Sequence, residues 1–92
     1  MLGQRIYELR TAIGWSQVAV AKKLNVTKQT VSNWENDNIQ PSIEMLVRLA
    51  KVFNVSTDYL LGLESTPRIS VDGLSPDIVA HLSAIINDLR NK

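Results

Sequence analysis

The sequence predicts an all-α fold: five short helices packed as one domain over residues 1–62, a linker over 63–74, and an amphipathic sixth helix within 75–92. Three observations carry that reading. Apolar residues recur at spacings of three and four rather than two, which is helical period. Most of these stripes begin behind a serine or threonine able to cap a helix, and several close on glycine or asparagine, which take left-handed turns most readily. Between residues 63 and 74 the composition shifts to Ser, Thr, Pro and Gly, and no stripe runs through it.

Leu2, Ile6, Leu9 and Ile13 form the first stripe, and Gly14 follows as a left-handed stop. Ser16 caps the next run, whose inward face is Val20, Ala21 and Leu24 before the turn at Asn25. Thr27 caps a third helix of about two turns, with Val31 and Trp34 inward and Asn36, Asp37 and Asn38 breaking it. Pro41 and Ser42 restart the chain, and Leu46, Leu49, Ala50 and Phe53 give the fourth helix its apolar face. Ser56 caps a last short turn that carries Tyr59, Leu60 and Leu61 and stops at Gly62. Within the linker, Ile69, Ser70 and Val71 alternate ahead of the turn signal Asp72-Gly73, a pattern that suits one short strand. Ser75, Pro76 and Asp77 then supply a capping hydroxyl, a proline at the first helical position and an acid at the positive end of the dipole. The sixth helix should run to about Arg90, with Ile78, Leu82, Ile85 and Leu89 as its stripe and Val79 and Ile86 widening it.

Ninety-two residues hold one small domain with an appendage and exclude a second, enzymatic one. Cysteine is absent and His81 is the single histidine, which removes disulfides and the usual zinc ligand sets together. A core this small supplies only ~3 to 5 kcal/mol without such staples, so a second subunit is the expected support. Arg5, Glu8 and Arg10 interrupt any leader-like apolar start, and no apolar run approaches the ~18 residues of a membrane span. A cytoplasmic location and no membrane partner are the expectation. No nucleophile elbow or phosphate loop occurs, Asp77 and Asp88 read as helix-end or solvent charges, and His81 stands alone on the sixth helix. Neither an enzyme nor a cofactor nor a small-molecule substrate is expected. The net charge of +1 commits the chain to no partner, although seven basic residues against five acidic ones through Gly62 leave a slight positive excess there.

The segment from Gln17 to Asn36 is the most informative, because it joins two short helices through three residues. Two helices that cross steeply over one small core need apolar inward positions and one small contact residue. Val20, Leu24, Val26, Val31 and Trp34 meet the first need and Ala21 the second, while Asn25 tolerates the positive φ of the turn. With Val31 and Trp34 turned inward at ~100° per residue, the opposite face of the third helix is centred on Gln29, Ser32, Asn33 and Asn36. All four are polar and uncharged. Amides and hydroxyls both donate and accept, which suits base edges, and Gln or Asn can bond adenine bidentately. A merely solvated face would look the same.

The stretch GWSQVAVAKKLNVTKQTVSNWEN, followed by PSIEMLVRLAKVFNVSTDYLLG, resembles the phage-repressor type of helix-turn-helix, the Cro/XRE family of bacterial transcriptional regulators. The likeness spans Gln4 to Gly62, about two-thirds of the chain, and rests on Gln17, Ala21, Thr27, Val31, Trp34 and Glu35 at the family's spacing. Asn25 departs from it, since glycine is commoner there. The resemblance implies a five-helix, lambda-repressor-like DNA-binding domain whose third helix lies in the major groove of double-stranded DNA. Lys28, Gln29, Ser32 and Asn33 are then the base-reading residues. Gln17 matches a glutamine that bonds a backbone phosphate, and Thr27, Asn36, Asn38, Lys22 and Lys23 are further phosphate candidates, the two lysines fitting an ordinary charged face equally well. Arg10 and Glu35 occupy the places of a partly buried ion pair. Trp34 and Trp15 read as packing residues.

For the last helix, the stripe of Ile78, Val79, Leu82, Ile85, Ile86 and Leu89 holds more aliphatic surface than the flank of a five-helix domain needs, which points to a homodimer interface. Two-fold symmetry has a mechanical use, because paired recognition helices about 34 Å apart reach successive major grooves. The sequence therefore predicts a repressor that binds a palindromic operator as a homodimer. The alternative is an antitoxin or antagonist-controlled module whose last helix binds another protein.

Overall fold

Serine and threonine hydroxyls set where most of the helices begin. In the computed structural model, which describes residues 2–91, α1 spans Leu2–Ile13, α2 Gln17–Leu24, α3 Lys28–Glu35, α4 Ile43–Phe53, α5 Thr57–Leu60 and α6 Pro76–Arg90. Met1 and Lys92, the outermost residues of the predicted first and last segments, lie outside the described residues. Ser16, Thr27, Ser42, Ser56 and Ser75 each sit in extended backbone and accept the amide three residues on, from Ala19, Thr30, Met45, Tyr59 and Ile78. Each such cap is worth about 1 kcal/mol.

The same turn is used twice. Asn25 at φ 56° and Asn54 at φ 55° end α2 and α4 in the left-handed conformation. Behind them the N–H of Val26 reaches the Ala21 carbonyl at 2.9 Å, and that of Val55 reaches Ala50 at 3.0 Å. Leu-Asn-Val-Thr and Phe-Asn-Val-Ser thus each stop one helix and cap the next.

Helices α1 to α5 close around one core. Ile6, Val20, Leu24, Val31, Leu49 and Leu60 are essentially inaccessible, joined by Ala21, Trp34, Ala50 and Phe53. Trp15 packs over this cluster from the α1–α2 connection, its ring 5.9 Å from that of Phe53. Two residues of the predicted stripes stay outside. Ile13 lies beyond the last turn that the core reaches, and Leu61 is the residue after α5; both are nearly half exposed.

The α1–α3 contact is closer than any apolar pattern foretells. Gly3 is buried against the end of α3, where an added Cβ would stand 2.5 Å from the Trp34 carbonyl oxygen and 2.6 Å from that of Glu35. Its N–H donates to Asp37 Oδ1 at 3.1 Å, and Asp37 holds a positive φ of 57°, so the turn leaving α3 caps the start of α1. Backbone cannot give way as a side chain can. Gly3→Ala is therefore expected to destabilise the fold by about 1–3 kcal/mol, read as a lower urea midpoint; an unchanged midpoint would contradict the close approach.

The linker corrects one expectation. Residues 69–71 form no strand, and no strand occurs among the described residues, because a strand needs a partner edge and every neighbouring element is a helix. The Asn54 side chain takes that place, its Nδ2 donating to the Ser70 carbonyl and its Oδ1 accepting from the Ser70 N–H, each at 3.3 Å. Helix α6 adds no buried residue. Val79 and Leu82 are half-buried, while Ile78, Ile85, Ile86 and Leu89 are exposed, Leu89 by 62%. The chain extends 41 Å in its long direction and 23 Å across.

Candidate nucleic-acid interface

The surface opposite the core at α2 and α3 is built from the turn outward. Asn25 redirects the chain, Thr27 starts α3, and Val31 and Trp34 anchor the helix from beneath at 0% and 3% exposure. A short helix held at both ends of its inner face has its outer face fixed in direction. That face carries Lys28 and Gln29, both exposed, with Ser32 and Asn33 half-buried beside them. The residues expected to read bases therefore lie together on one surface.

Hydrogen bonds along the helix order that surface. Gln29 Nε2 donates to Asn33 Oδ1 at 3.0 Å, and Asn36 Nδ2 donates to Ser32 Oγ at 3.3 Å, each spanning one turn. The first bond leaves Gln29 Oε1, one Gln29 N–H and the whole Asn33 amino group free to meet a ligand. Side chains already held in place lose less rotamer freedom on binding. No acidic residue interrupts α3 before Glu35, and Glu35 is turned inward, so the outer face presents no carboxylate to a phosphate backbone.

A buried network ties this face to the rest of the domain. The Arg10 guanidinium forks onto Glu35, Nε to Oε2 at 2.6 Å and Nη2 to Oε1 at 3.0 Å, and Nη1 donates to the Trp15 carbonyl at 3.0 Å. The side chains of Arg10 and Glu35 are 12% and 3% exposed. The hydrogen bond to Glu35 raises the Arg10 pKa above its ordinary value, outweighing the opposing effect of burial, and the charge of Glu35 adds to the rise. Gln17 joins the same carboxylate, Nε2 to Oε1 at 3.0 Å. Its amide is thus fixed from inside the protein, with the second N–H left to donate to a phosphate and Oε1 left to accept from another donor.

The other phosphate candidates divide. Thr27 uses its hydroxyl to cap α3 through the Thr30 N–H at 3.1 Å, which leaves the earlier amides of that turn pointing outward. Asn36 and Asn38 are exposed just past α3, with the Asn38 N–H closing onto the Asn33 carbonyl at 2.9 Å. Lys22 is exposed, whereas the Lys23 ammonium lies 4.5 Å from the centre of the Trp15 ring, a packing role that the bare charge pattern does not reveal. Three supports escaped sequence reasoning: Gly3 and Asp37, which lock α1 to α3, and Arg5, whose guanidinium stacks 3.9 Å over Tyr59. Nothing in the apolar pattern marks them.

Comparison with known proteins agrees with this geometry. The model of the helix-turn-helix family matches residues 6–60. The transcriptional regulator ImmR of Bacillus subtilis is 40% identical over 67 residues, covering 73% of this chain and 53% of ImmR, so the chain spans about half the length of that relative. Among solved structures, the c2 repressor of Salmonella phage P22 in complex with a synthetic operator superposes with a TM-score of 0.63 at 33% identity, over 65% of this chain and 91% of the repressor chain. The Bacillus subtilis regulator SinR in complex with DNA gives 0.62 at 37% identity, over 66% and 98%. A SinR and SinI complex gives 0.63 at 25% identity over the whole of both chains.

Proposed function

The chain belongs to the helix-turn-helix family of DNA-binding transcriptional regulators, and from that premise we propose that it represses transcription by occupying a palindromic operator as a homodimer. Its relatives and its fold are those of regulators, not enzymes. The observation that carries the reading is the outer face of α3, an uncharged array of amides and hydroxyls held rigid over Val31 and Trp34. Lys28, Gln29, Ser32 and Asn33 enter the major groove and read base edges. Gln17, the first amides of α3, Lys22, Asn36 and Asn38 meet phosphates on either side and set the register. The protein acts in the cytoplasm, and no helix among the described residues is long and apolar enough to cross a membrane.

Selection of bound sequences from a pool of random duplexes tests this function. Two inverted half-sites spaced by about one helical turn are expected; a single half-site, or no enrichment, would contradict the dimeric repressor. On the recovered site, Gln29→Ala is expected to weaken binding by about 1–3 kcal/mol and to relax one base position in each half-site. An equal loss on every sequence would instead make Gln29 a backbone contact.

A second reading has an observation of its own. The apolar stripe of α6 is open in the single chain, and SinR has been solved with a protein partner, SinI. An antagonist or toxin that covers α6 would control DNA binding by holding the regulator off its operator. Sedimentation of the purified chain, alone and with a candidate partner, separates the readings: a dimer supports the first, and a chain that loses affinity for DNA when a partner protein covers α6 supports the second.

A further inference from the structure

The side chains flanking the α6 stripe specify how two copies of that helix meet, an inference that rests on the homodimer proposed above. In seven-residue register Ile78, Leu82, Ile85 and Leu89 form the seam. The two borders of that seam differ. Val79 and Ile86 lie along one edge, while His81 and Asp88 lie along the other, both exposed and neither with a hydrogen-bond or ion-pair partner among the described residues.

In a parallel pair each edge meets the opposite edge of its neighbour, so His81 would face Ile86 of the second copy and lose water without gaining a partner. In an antiparallel pair like edges meet. We propose that α6 pairs antiparallel with α6 of a second copy, about a two-fold axis midway between Ser83 and Ala84. Ile78 then packs opposite Leu89 of the other chain and Leu82 opposite Ile85, so every seam residue finds an apolar partner. The same register brings Val79 to Ile86 on one border and His81 to Asp88 on the other, where an imidazole N–H donates to a carboxylate at both ends of the pair. One register satisfying seam, apolar border and polar border together is what a self-complementary interface requires. The two α6 starts then stand about 22 Å apart along the pair, which sends the DNA-binding domains to opposite ends.

The chain has no cysteine, so introduced ones report pairing without background. Under mild oxidation, Ile78→Cys and Leu89→Cys chains are expected to cross-link with each other when mixed and refolded together, and neither with itself. Self-linked Ile78→Cys dimers would overturn the antiparallel arrangement while leaving the homodimer intact. A sedimentation monomer for the unsubstituted chain would overturn both, and a dimer with neither cross-link would place its interface away from this stripe. Spin labels on Asn91→Cys, outside the seam, guard against a weakened seam: a separation of about 20 Å or more supports the proposal, and a shorter one, toward the ~8–10 Å between the axes of side-by-side helices, contradicts it.

Discussion

Arg10→Met is expected to lower the unfolding free energy by about 3 kcal/mol, and the melting temperature by roughly 12–24 °C for a domain of this size. The loss comes less from the vanished attraction than from what stays behind. Glu35, with a side chain 3% exposed, would keep its charge in the interior with Gln17 as its one remaining side-chain donor. The Trp15 carbonyl would also lose its guanidinium partner. Because the Arg10 pKa is raised on folding, the pair contributes fully at pH values below the ordinary arginine value and is lost only as pH rises through the raised one. The difference between the variant and the parent should accordingly be the same at pH 7 and pH 9. Thermal unfolding of both proteins checks this, with Lys22→Met as the surface control, and equal melting temperatures would mean that the pair does not stabilise the fold. DNA affinity should fall as well, since Gln17 loses its fixed support when Glu35 moves.

Leu82→Asp combined with Ile85→Asp is expected to give a folded monomer that binds operator DNA at least 100-fold more weakly, because linking two reading heads multiplies affinity by about 10² to 10⁴. The five-helix core should survive unchanged, since α6 contributes nothing buried to it. Circular dichroism of the domain together with sedimentation and a fluorescence-anisotropy titration separates the effects. Dimers of undiminished affinity would mean that the chains meet through another surface.

Much of this molecule was legible in the chain itself, for reasons that can be named. Helix starts were readable because Ser16, Thr27, Ser42, Ser56 and Ser75 act locally, each on an amide three residues away. The core was readable because burial imposes its period on Ile6, Val20, Leu24, Val31 and Leu49. The outward direction of Gln29 and Asn33 followed from geometry once Val31 and Trp34 were placed. What escaped is long-range and polar. Gly3 is glycine because the Trp34 and Glu35 carbonyls lie against it, thirty residues along the chain, and no local pattern records that distance. Asn54 repeats the turn of Asn25 in a nearly matching tetrapeptide, a signal present in the sequence, yet its grip on Ser70 depends on where the linker folds back. The short strand failed for the same reason, since alternation at Ile69 to Val71 says what a strand would look like but not whether an edge awaits it.

DNA recognition rests on one small surface, the outer side of α3, and the side-chain amides themselves can report on it. In a nitrogen-15 spectrum recorded at low salt during titration with the selected duplex, the NH₂ signals of Gln29 and Asn33 are expected to shift most, followed by backbone amides at the starts of α2 and α3. Shifts confined to α6 or the linker, with those two NH₂ groups unmoved at saturation, would contradict base reading by α3.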